Sequence, residues 1–525
     1  MTITMAKRRR APATAGAALP LAAPVAMLAL LMAPSCRADW KVVPSVELRE
    51  TYTDNVRLET AALAHSEFIT DLAPSLLIVN EGPRLKLNAA FTSHLYRYSD
   101  NQVAGNNRSQ RQLDAHAKAK LVEDLLLFDG SASIAQRAIS AFGPQLANNP
   151  YSNTNRADVS SYRLSPYLVH RFGNAANAEL RYARDSVKSG NIGFGDSVGD
   201  TVSMNIASGA AYRTLGWGLQ ASEQHLDSTR GGKSTAENAS TNLRWRLAES
   251  FSLTGAGGYD KYDYQSTGGK TAGASYSLGF TWTPSLRTSL QASAGQRYYG
   301  ASYALNASHR SRSTVWSLNY NDAVTTAREQ FLLPATVDTA ALLDRLFSAN
   351  IADPVARRQA VDAYLRTTGL PASLADNVNY FSNRFLLQRQ LQAAAAFNTA
   401  KTTTVLSLNA TRRTALSVQE SDSALAGINP ASLNDNTRQA VAALSLNYRL
   451  SPRSGVNLVA SSTRSESLAT GVKSTARLVS AALTRQLQPK LKAAVELHRA
   501  EGDTLTLGGR TYRENALSAS LSLAL

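Results

Sequence analysis

Gly195-Asp196-Ser197-Val198-Gly199 has the Gly-x-Ser-x-Gly spacing of serine hydrolases, in which a sharp strand-to-helix turn exposes the nucleophile. Here the match lies in a stretch rich in Gly, Ser and Asp with no helical pattern after it, which reads as a loop. The seven histidines are scattered and lack the His-x-x-x-His or Glu-containing spacing that gathers a metal. Asp54-Asn55 with Glu50 or Glu59 is a candidate calcium set, set against the plainer role of turning the chain, since Asp and Asn side chains satisfy nearby backbone groups. Gly255, Gly257 and Gly258 would suit a phosphate loop, but no helix follows to present its N-terminus to an anion. Closely spaced glycines inside a strand instead permit bending or flat packing of an aromatic ring. No nucleotide, haem or metal motif is present, so no cofactor is expected and the chain does not read as an enzyme. Polar residues assembled at a barrel rim from distant strands are the alternative to that reading.

The elements that would position any of these groups have a two-residue period. Leu517, Ala519, Leu521, Leu523 and Leu525 share one face of the C-terminal stretch, and the other face is largely hydroxylated. Ala272, Ala274, Tyr276, Leu278, Phe280 and Trp282 alternate with Gly273, Ser275, Ser277, Gly279 and Thr281. Leu243, Trp245 and Leu247 alternate with Asn242, Arg244 and Arg246. This is the pattern of strands with lipid on one side and water on the other. No run after the leader approaches the roughly 20 apolar residues that a membrane-spanning helix needs. Only helices and closed barrels satisfy every backbone group in lipid, which leaves the barrel. Tyr96, Tyr98, Tyr162, Tyr167, Tyr298, Tyr299 and Tyr448, near strand ends, would suit the interfacial girdles.

The N-terminus carries basic Lys7 to Arg10, an apolar stretch from Ala15 to Met32, and then small residues, the layout of a secretory signal peptide. Cleavage after Ala38 would give residues 1–38 as leader and a mature chain from Asp39 that lacks cysteine, because Cys36 is the only one. A lipidated Cys36 is the competing reading, although Ala33 and Pro34 stand where a lipobox would differ. The formal charge is +16, and removing the leader's Lys7, Arg8, Arg9, Arg10 and Arg37 leaves +11. In an exported strand-rich chain that excess belongs in a lumen or against anionic lipopolysaccharide, and nucleic acid is not an expected partner. The expected place is the outer membrane of a Gram-negative bacterium, with its lipid, lipopolysaccharide and the barrel-assembly machinery as partners.

Short turn-like connections (Glu81-Gly82-Pro83, Phe172-Gly173-Asn174, Thr283-Pro284-Ser285, Ser451-Pro452-Arg453, Gln488-Pro489-Lys490) roughly alternate with long polar ones. The long ones are Asp54 to Ser66, Ser99 to Asn107, Ser140 to Asn155, Ser186 to Asp200, Ser417 to Asn434 and Gly502 to Gly509. Tight periplasmic turns and long extracellular loops alternate in this way. The fold class is therefore all-β: a transmembrane antiparallel up-and-down β-barrel of about 22 strands, within a range of roughly 18 to 22, over residues 39–525. Counting Ser302 to Arg310 as a strand, with a turn at Ser311 to Ser313, keeps the number even.

Between residues 321 and 384 the period turns helical, with candidates at Ala340 to Phe347 and Pro354 to Thr367. Asp353 suits the cap of the second, Pro354 its first turn, and Gly369 with Pro371 the stop. Parity puts this insert on the extracellular side as a lid; a lumen plug and a periplasmic position stay open.

Alternation also selects the groups that face inward. Arg84, Lys86, Arg181, Arg244, Arg246, Arg287, Arg297, Lys492 and Glu496 alternate with apolar residues, and charge belongs on the lumen side because a cation facing lipid at the midplane costs about 2 to 4 kcal/mol. An Arg- and Lys-lined lumen favours anions. The alternative is that these cations pair with acids such as Glu179 and Glu496 across the wall. His94 and His498 fall on the same inner faces, as polar wall residues.

Particular runs add a family resemblance. Trp40-Lys-Val-Val-Pro-Ser-Val-Glu-Leu-Arg-Glu-Thr-Tyr-Thr-Asp-Asn-Val, Trp316-Ser-Leu-Asn-Tyr, Gly369-Leu-Pro and Asn383-Arg-Phe-Leu-Leu-Gln-Arg-Gln-Leu-Gln resemble, in order and spacing, the PEP-CTERM system-associated outer membrane proteins. Those are similar in turn to outer-membrane barrels encoded with exopolysaccharide operons. The resemblance implies a porin-like envelope barrel linked to export of extracellular polysaccharide or to protein sorting, with the polymer and its periplasmic export machinery as partners. A closed docking barrel that retains polysaccharide or sorted proteins at the surface is the other role it allows.

Overall fold

The computed structural model describes the chain from Trp40 onward, except residues 101–107, 146–149, 153–154, 191–193, 231, 265, 333–342, 345–346, 348–356, 358–360, 362–380, 383, 418–435 and 505–510. The leader, Cys36 and the cleavage position lie outside the described residues. The strands are β1 (Trp40–Thr53), β2 (Glu67–Glu81), β3 (Leu85–Tyr98), β4 (Ser109–Val122), β5 (Leu126–Ala138), β6 (Arg156–Phe172), β7 (Ala176–Ser189) and β8 (Ser197–Ser208). They continue as β9 (Leu215–Ser228), β10 (Gly232–Ala248), β11 (Phe251–Tyr262), β12 (Ala272–Ser285), β13 (Thr288–Arg297), β14 (Gly300–Arg310) and β15 (Thr314–Thr325). After the one named helix, α1 (Ala327–Leu332), come β16 (Leu386–Asn398), β17 (Thr402–Ala415), β18 (Thr437–Ser451), β19 (Ser454–Ser467), β20 (Lys473–Gln488), β21 (Leu491–Asp503) and β22 (Thr511–Ala524).

Each strand pairs antiparallel with its sequence neighbours, giving one sheet of 22 strands. β22 returns to β1, with Ser45 opposite Ala524 and Thr53 opposite Ala516, and so closes the ring. Closure leaves no open edge, the condition for a sheet in hydrocarbon. The Ser302 to Arg310 stretch is indeed a strand, β14, and Ser311 bonds Thr314 across its turn through their hydroxyls at 2.7 Å. The chain is thus an outer-membrane-type barrel, and its long connections gather at one end, which also holds the tight β9–β10 and β13–β14 turns.

The two faces follow the alternation. Tyr276 and Leu278 are 65% and 76% exposed, and Leu243, Trp245, Leu247, Val495, Leu497, Leu517 and Leu521 are exposed with them on the outside. Inward residues of the same strands are polar: Thr51 of β1 bonds Ser518 of β22 at 2.9 Å, hydroxyl to hydroxyl. The Gly255 to Gly258 run is a piece of β11, followed by strand β12. A methyl group on Gly258 would stand 2.5 Å from the Ala239 carbonyl oxygen of the neighbouring strand, so the position takes hydrogen alone.

Two expectations change. The strand pattern of β15 persists to Thr325, whose ladder partner is Leu386, so the insert spans 326–385 rather than 321–384. The alternation fades there because Asp322 takes an outward position beyond the apolar band. Tyr162 and Tyr448 stand outside as girdle residues do, but Tyr96 and Tyr98 are buried with Val56, Ile69 and Tyr151, and Tyr167 lies under Arg181. A ring that fills space between an inner wall and an inward loop carries the same sequence signal as one at the interface. Of the insert's helical candidates, only Leu343, Asp344, Phe347, Arg357 and Val361 are described, each in helical conformation, and the rest lies outside the described residues.

Leu444 on β18 sits mid-strand on the outer face between Leu406 and Ala460. Leu444→Arg is expected to lower barrel stability by about 2 to 4 kcal/mol. Urea unfolding in detergent or lipid, read by the gel shift between folded and heated forms, measures it.

Candidate functional site: the lumen and its mouth

Lys86, Arg181, Arg244, Arg246, Arg297, Lys492 and Glu496 lie on inward faces, as expected from alternation with exposed apolar neighbours. Two expected wall residues do not. Arg84 precedes β3 in the β2–β3 turn, and Arg287 sits between β12 and β13, where its amide donates to the Ser285 hydroxyl at 3.2 Å. Both stand at the periplasmic rim, where their carbonyls accept from the Lys120 and Arg310 amides at 2.8 and 2.9 Å.

The inward charges divide into paired and open groups. Arg181 donates to Glu179 at 2.8 Å and to Asp129 at 3.0 Å, and its guanidinium lies 3.8 Å from the Tyr167 ring centre. Arg297 faces buried Asp260 at 3.8 Å, and Glu496 faces Arg49 at 3.5 Å. His94 sits 3.0 Å from Asp71, and His498 sits 3.4 Å from Glu514, which also accepts from Thr53 at 2.6 Å. These are structural pairs in a partly wet wall. By contrast Lys86 and Lys118 stand across from each other between Glu81 and Asp129, and Arg244 and Arg246 share one face of β10 with no acid across from them; no ion pair within 4.0 Å to any of these four occurs among the described residues.

Burial separates the same two regions. On β17 and β18 the inward Thr403, Val405, Ser407, Asn409, Thr411, Gln439, Val441, Ala443 and Ser445 are all buried. Leu343 and Val361 of the insert pack there against Val315, Ala396, Val405 and Ala443. The inward Asn88, Asp114, His116 and Lys118 of β3 and β4, and Asn242, Arg244 and Arg246 of β10, are exposed to the interior. One side of the lumen is covered and the other is open. At the periplasmic end of the covered side, Phe347 borders a cavity of about 480 Å³ together with Lys401, Arg449, Arg453 and Lys492, with no acid in its lining.

A second inward segment, the β5–β6 connection, lies against β1 to β3. Tyr151 bonds the Thr51 hydroxyl at 2.9 Å and meets Tyr96 edge-on at 5.3 Å. Asn155, with a left-handed φ of 59°, accepts from the Ser140 amide at 2.8 Å and donates to the Ser140, Phe142 and Pro144 carbonyls. Farther round, Ala141 and Phe142 pack on Val472 between β19 and β20.

The mouth is held by α1. Thr326 and Glu329 form a reciprocal cap, the Glu329 amide donating to the Thr326 hydroxyl and the Thr326 amide to the Glu329 carboxylate, each at 3.2 Å. Burial pushes the Glu329 carboxyl up, and bonds from Thr325 and Thr326 oppose the shift. From this turn Arg328 reaches Asp185 of β7 in a buried ion pair and donates to the Ser197 hydroxyl at 2.8 Å. Ala327 and Phe331 bury with Val159, Val187, Phe194 and Phe381. Ser197 is thus an anchor for arginine at the start of β8, not a nucleophile on an elbow. Asp54 and Asn55 likewise tie chain ends together: Asn55 bonds the Glu59 amide and carbonyl, and Asp54 bonds Asn515 at 2.7 Å.

These contacts fix the shape of the opening. A round ring of 22 strands, spaced about 4.8 Å and tilted about 40°, would set strands eight apart roughly 40 Å from each other. Thr325 ends β15 and Arg328 touches β7, eight strands round, yet three residues of chain reach only about 10 Å and the side chain adds less than that. The extracellular mouth is therefore pinched across α1. The Thr326-x-x-Glu329 spacing was the available sequence signal for this helix.

With closed ladders, an outward apolar band and a polar interior, the chain is an integral β-barrel of the Gram-negative outer membrane. No family model and no curated protein matches it. Among solved structures it is similar to the siderophore receptor PirA from Pseudomonas aeruginosa, at 12% identity over 92% of this chain and 80% of that one, TM-score 0.45. It is also similar to the FrpB iron transporter from Neisseria meningitidis, at 10% identity over 92% and 81%, TM-score 0.49. Identity this low says nothing of what this chain binds.

Arg328→Met leaves Asp185 buried without a counter-charge, and this is expected to cost about 3 to 5 kcal/mol of α1 docking. Limited proteolysis of the folded barrel should cut within 326–385 faster in that variant, and adding Asp185→Asn should restore much of the resistance.

Proposed function

We propose that this barrel is a pathway for an anionic extracellular polysaccharide across the outer membrane, with the insert 326–385 as its plug. The observation that carries the reading is the open side of the lumen: Arg244 and Arg246 share an exposed inward face of β10, and the residues across the ladders from them, Gly216, Thr254 and Ser252, include no acid. An arginine-lined lumen favours anions, and a bound polyanion offsets the repulsion between these two guanidinium groups. The acid-free cavity around Lys401, Arg449, Arg453 and Lys492 supplies a periplasmic docking point of the same sign. The resemblance to PEP-CTERM system-associated barrels supports polysaccharide as the polymer, and the periplasmic export machinery as the partner that delivers it. No bond is made or broken, so transfer is passive and driven from the periplasm.

A docking role is the second reading, and the buried cover over β17 and β18 favours it. A lumen whose wall is sealed by the insert can hold polymer or sorted proteins at its rim without passing anything through.

Planar bilayers separate channel from closed barrel. The native protein is expected to conduct weakly and the 326–385 deletion strongly, with anion preference reduced by Arg244→Glu with Arg246→Glu. No conductance from either form ends the channel reading. In cells, loss of the gene should trap polymer in the periplasm if the barrel exports, and release it unattached if the barrel docks.

A further inference from the structure

On the outer face of β16, β17 and β18 the ladder places three arginines side by side: Arg389 opposite Arg412, and Arg412 opposite Arg438. Their parity is outward, because Arg389 shares its face with exposed Leu391, Arg412 with Leu408, and Arg438 with Leu444. Among the described residues, acids stand only at the two ends of the row. Asp322 lies 4.0 Å from Arg389 and Glu466 lies 3.9 Å from Arg438, whereas Arg412, between two guanidinium groups, makes no ion pair among the described residues. Opposed like charges cost stability, so the row is costly as it stands.

The next strands repeat the excess. Lys473 on β20 is 3.8 Å from Glu466, which already faces Arg438, and Glu501 on β21 faces Arg499 and Arg513 together. Elsewhere on the outer surface Arg184 pairs with Asp200 and Lys261 with Glu237. The row lies three residues from the extracellular end of β17 and four from the exposed Leu408, at a rise of about 3.3 Å per residue, which is the level of lipid head groups. Guanidinium groups at that level bind phosphate with two parallel hydrogen bonds.

We infer that Arg389, Arg412 and Arg438 form a binding site on the outside of the barrel for the sugar phosphates of the outer-leaflet glycolipid, the lipid anchor of lipopolysaccharide. This rests on the membrane placement and is independent of what the lumen passes. A phosphate lying between two adjacent guanidinium groups removes the repulsion and fixes one lipid to one sector of the wall.

The test uses the full barrel in detergent with bisphosphorylated lipid A, the same lipid A dephosphorylated by phosphatase, and inorganic phosphate. Native mass spectrometry should show lipid A retained by the parent protein, with affinity for the bisphosphorylated form at least roughly tenfold above the dephosphorylated one. The triple variant Arg389→Gln, Arg412→Gln, Arg438→Gln should lose that margin, and the inward Arg244→Gln with Arg246→Gln should keep it. The triple variant without lipid should melt no lower than the parent, because the repulsion is gone, while lipid A should raise the melting temperature of the parent alone. Equal binding of both lipid forms, an unchanged triple variant, or displacement of lipid A by millimolar inorganic phosphate overturns the assignment. Should the triple variant fail to show the heat-dependent gel shift of a folded barrel, Arg412→Gln alone carries the same comparison.

Discussion

Hydrocarbon offers no partner to a peptide N–H or C=O, and this constraint organises everything else in the molecule. Each strand spends its backbone groups on two neighbours, and the last strand must return to the first; the Ser45 to Thr53 pairing with β22 is where that requirement is met. Twenty-two strands then set a perimeter too long for wall side chains to fill the interior on their own. The chain responds by sending other segments inward. The β5–β6 connection covers β1 to β3, and Leu343 and Val361 cover β15 to β18.

Covering one side and pinching the mouth leaves the charge pattern uneven. Where inward segments lie close, charges are matched within the wall or across it, as in Arg328 with Asp185. Where the wall meets water, Arg244 and Arg246 remain unmatched among the described residues. A net positive chain can thus hold most of its interior ion pairs locally and still present a positive passage. The formal charge of +16 was a poor guide to which groups do so, because it sums leader, lumen and outer surface.

The strand number, the closing alternation at Leu517 to Leu525 and the outward position of Tyr276 and Leu278 were legible because a period of two survives in any strand with lipid on one face. The weakly marked β14 was legible only through parity. What escaped was whatever depends on groups far apart in the chain. Tyr96 and Tyr98 looked interfacial because nothing local announces that Tyr151 packs over them. Arg84 and Arg287 obeyed the alternation but stand in the turns just before β3 and β13, a boundary that spacing along the chain does not mark. The α1 turn is too short for a helical period to register, and only its capping pair marks it. The triple arginine row is invisible in sequence, since register between strands, not spacing along one, brings its members together.

The grip of Arg328 on Asp185 spans 143 positions of sequence. Such a contact has no meaning until β7, β8 and β15 are all hydrogen-bonded into one wall, so the strut over the opening is among the last parts to settle during biogenesis. Until then the vestibule is wide and its aromatic lining, Phe194, Phe331 and Phe381, is wet. A cylinder without this contact therefore has a gaping outer end, and closing the contact is what narrows it.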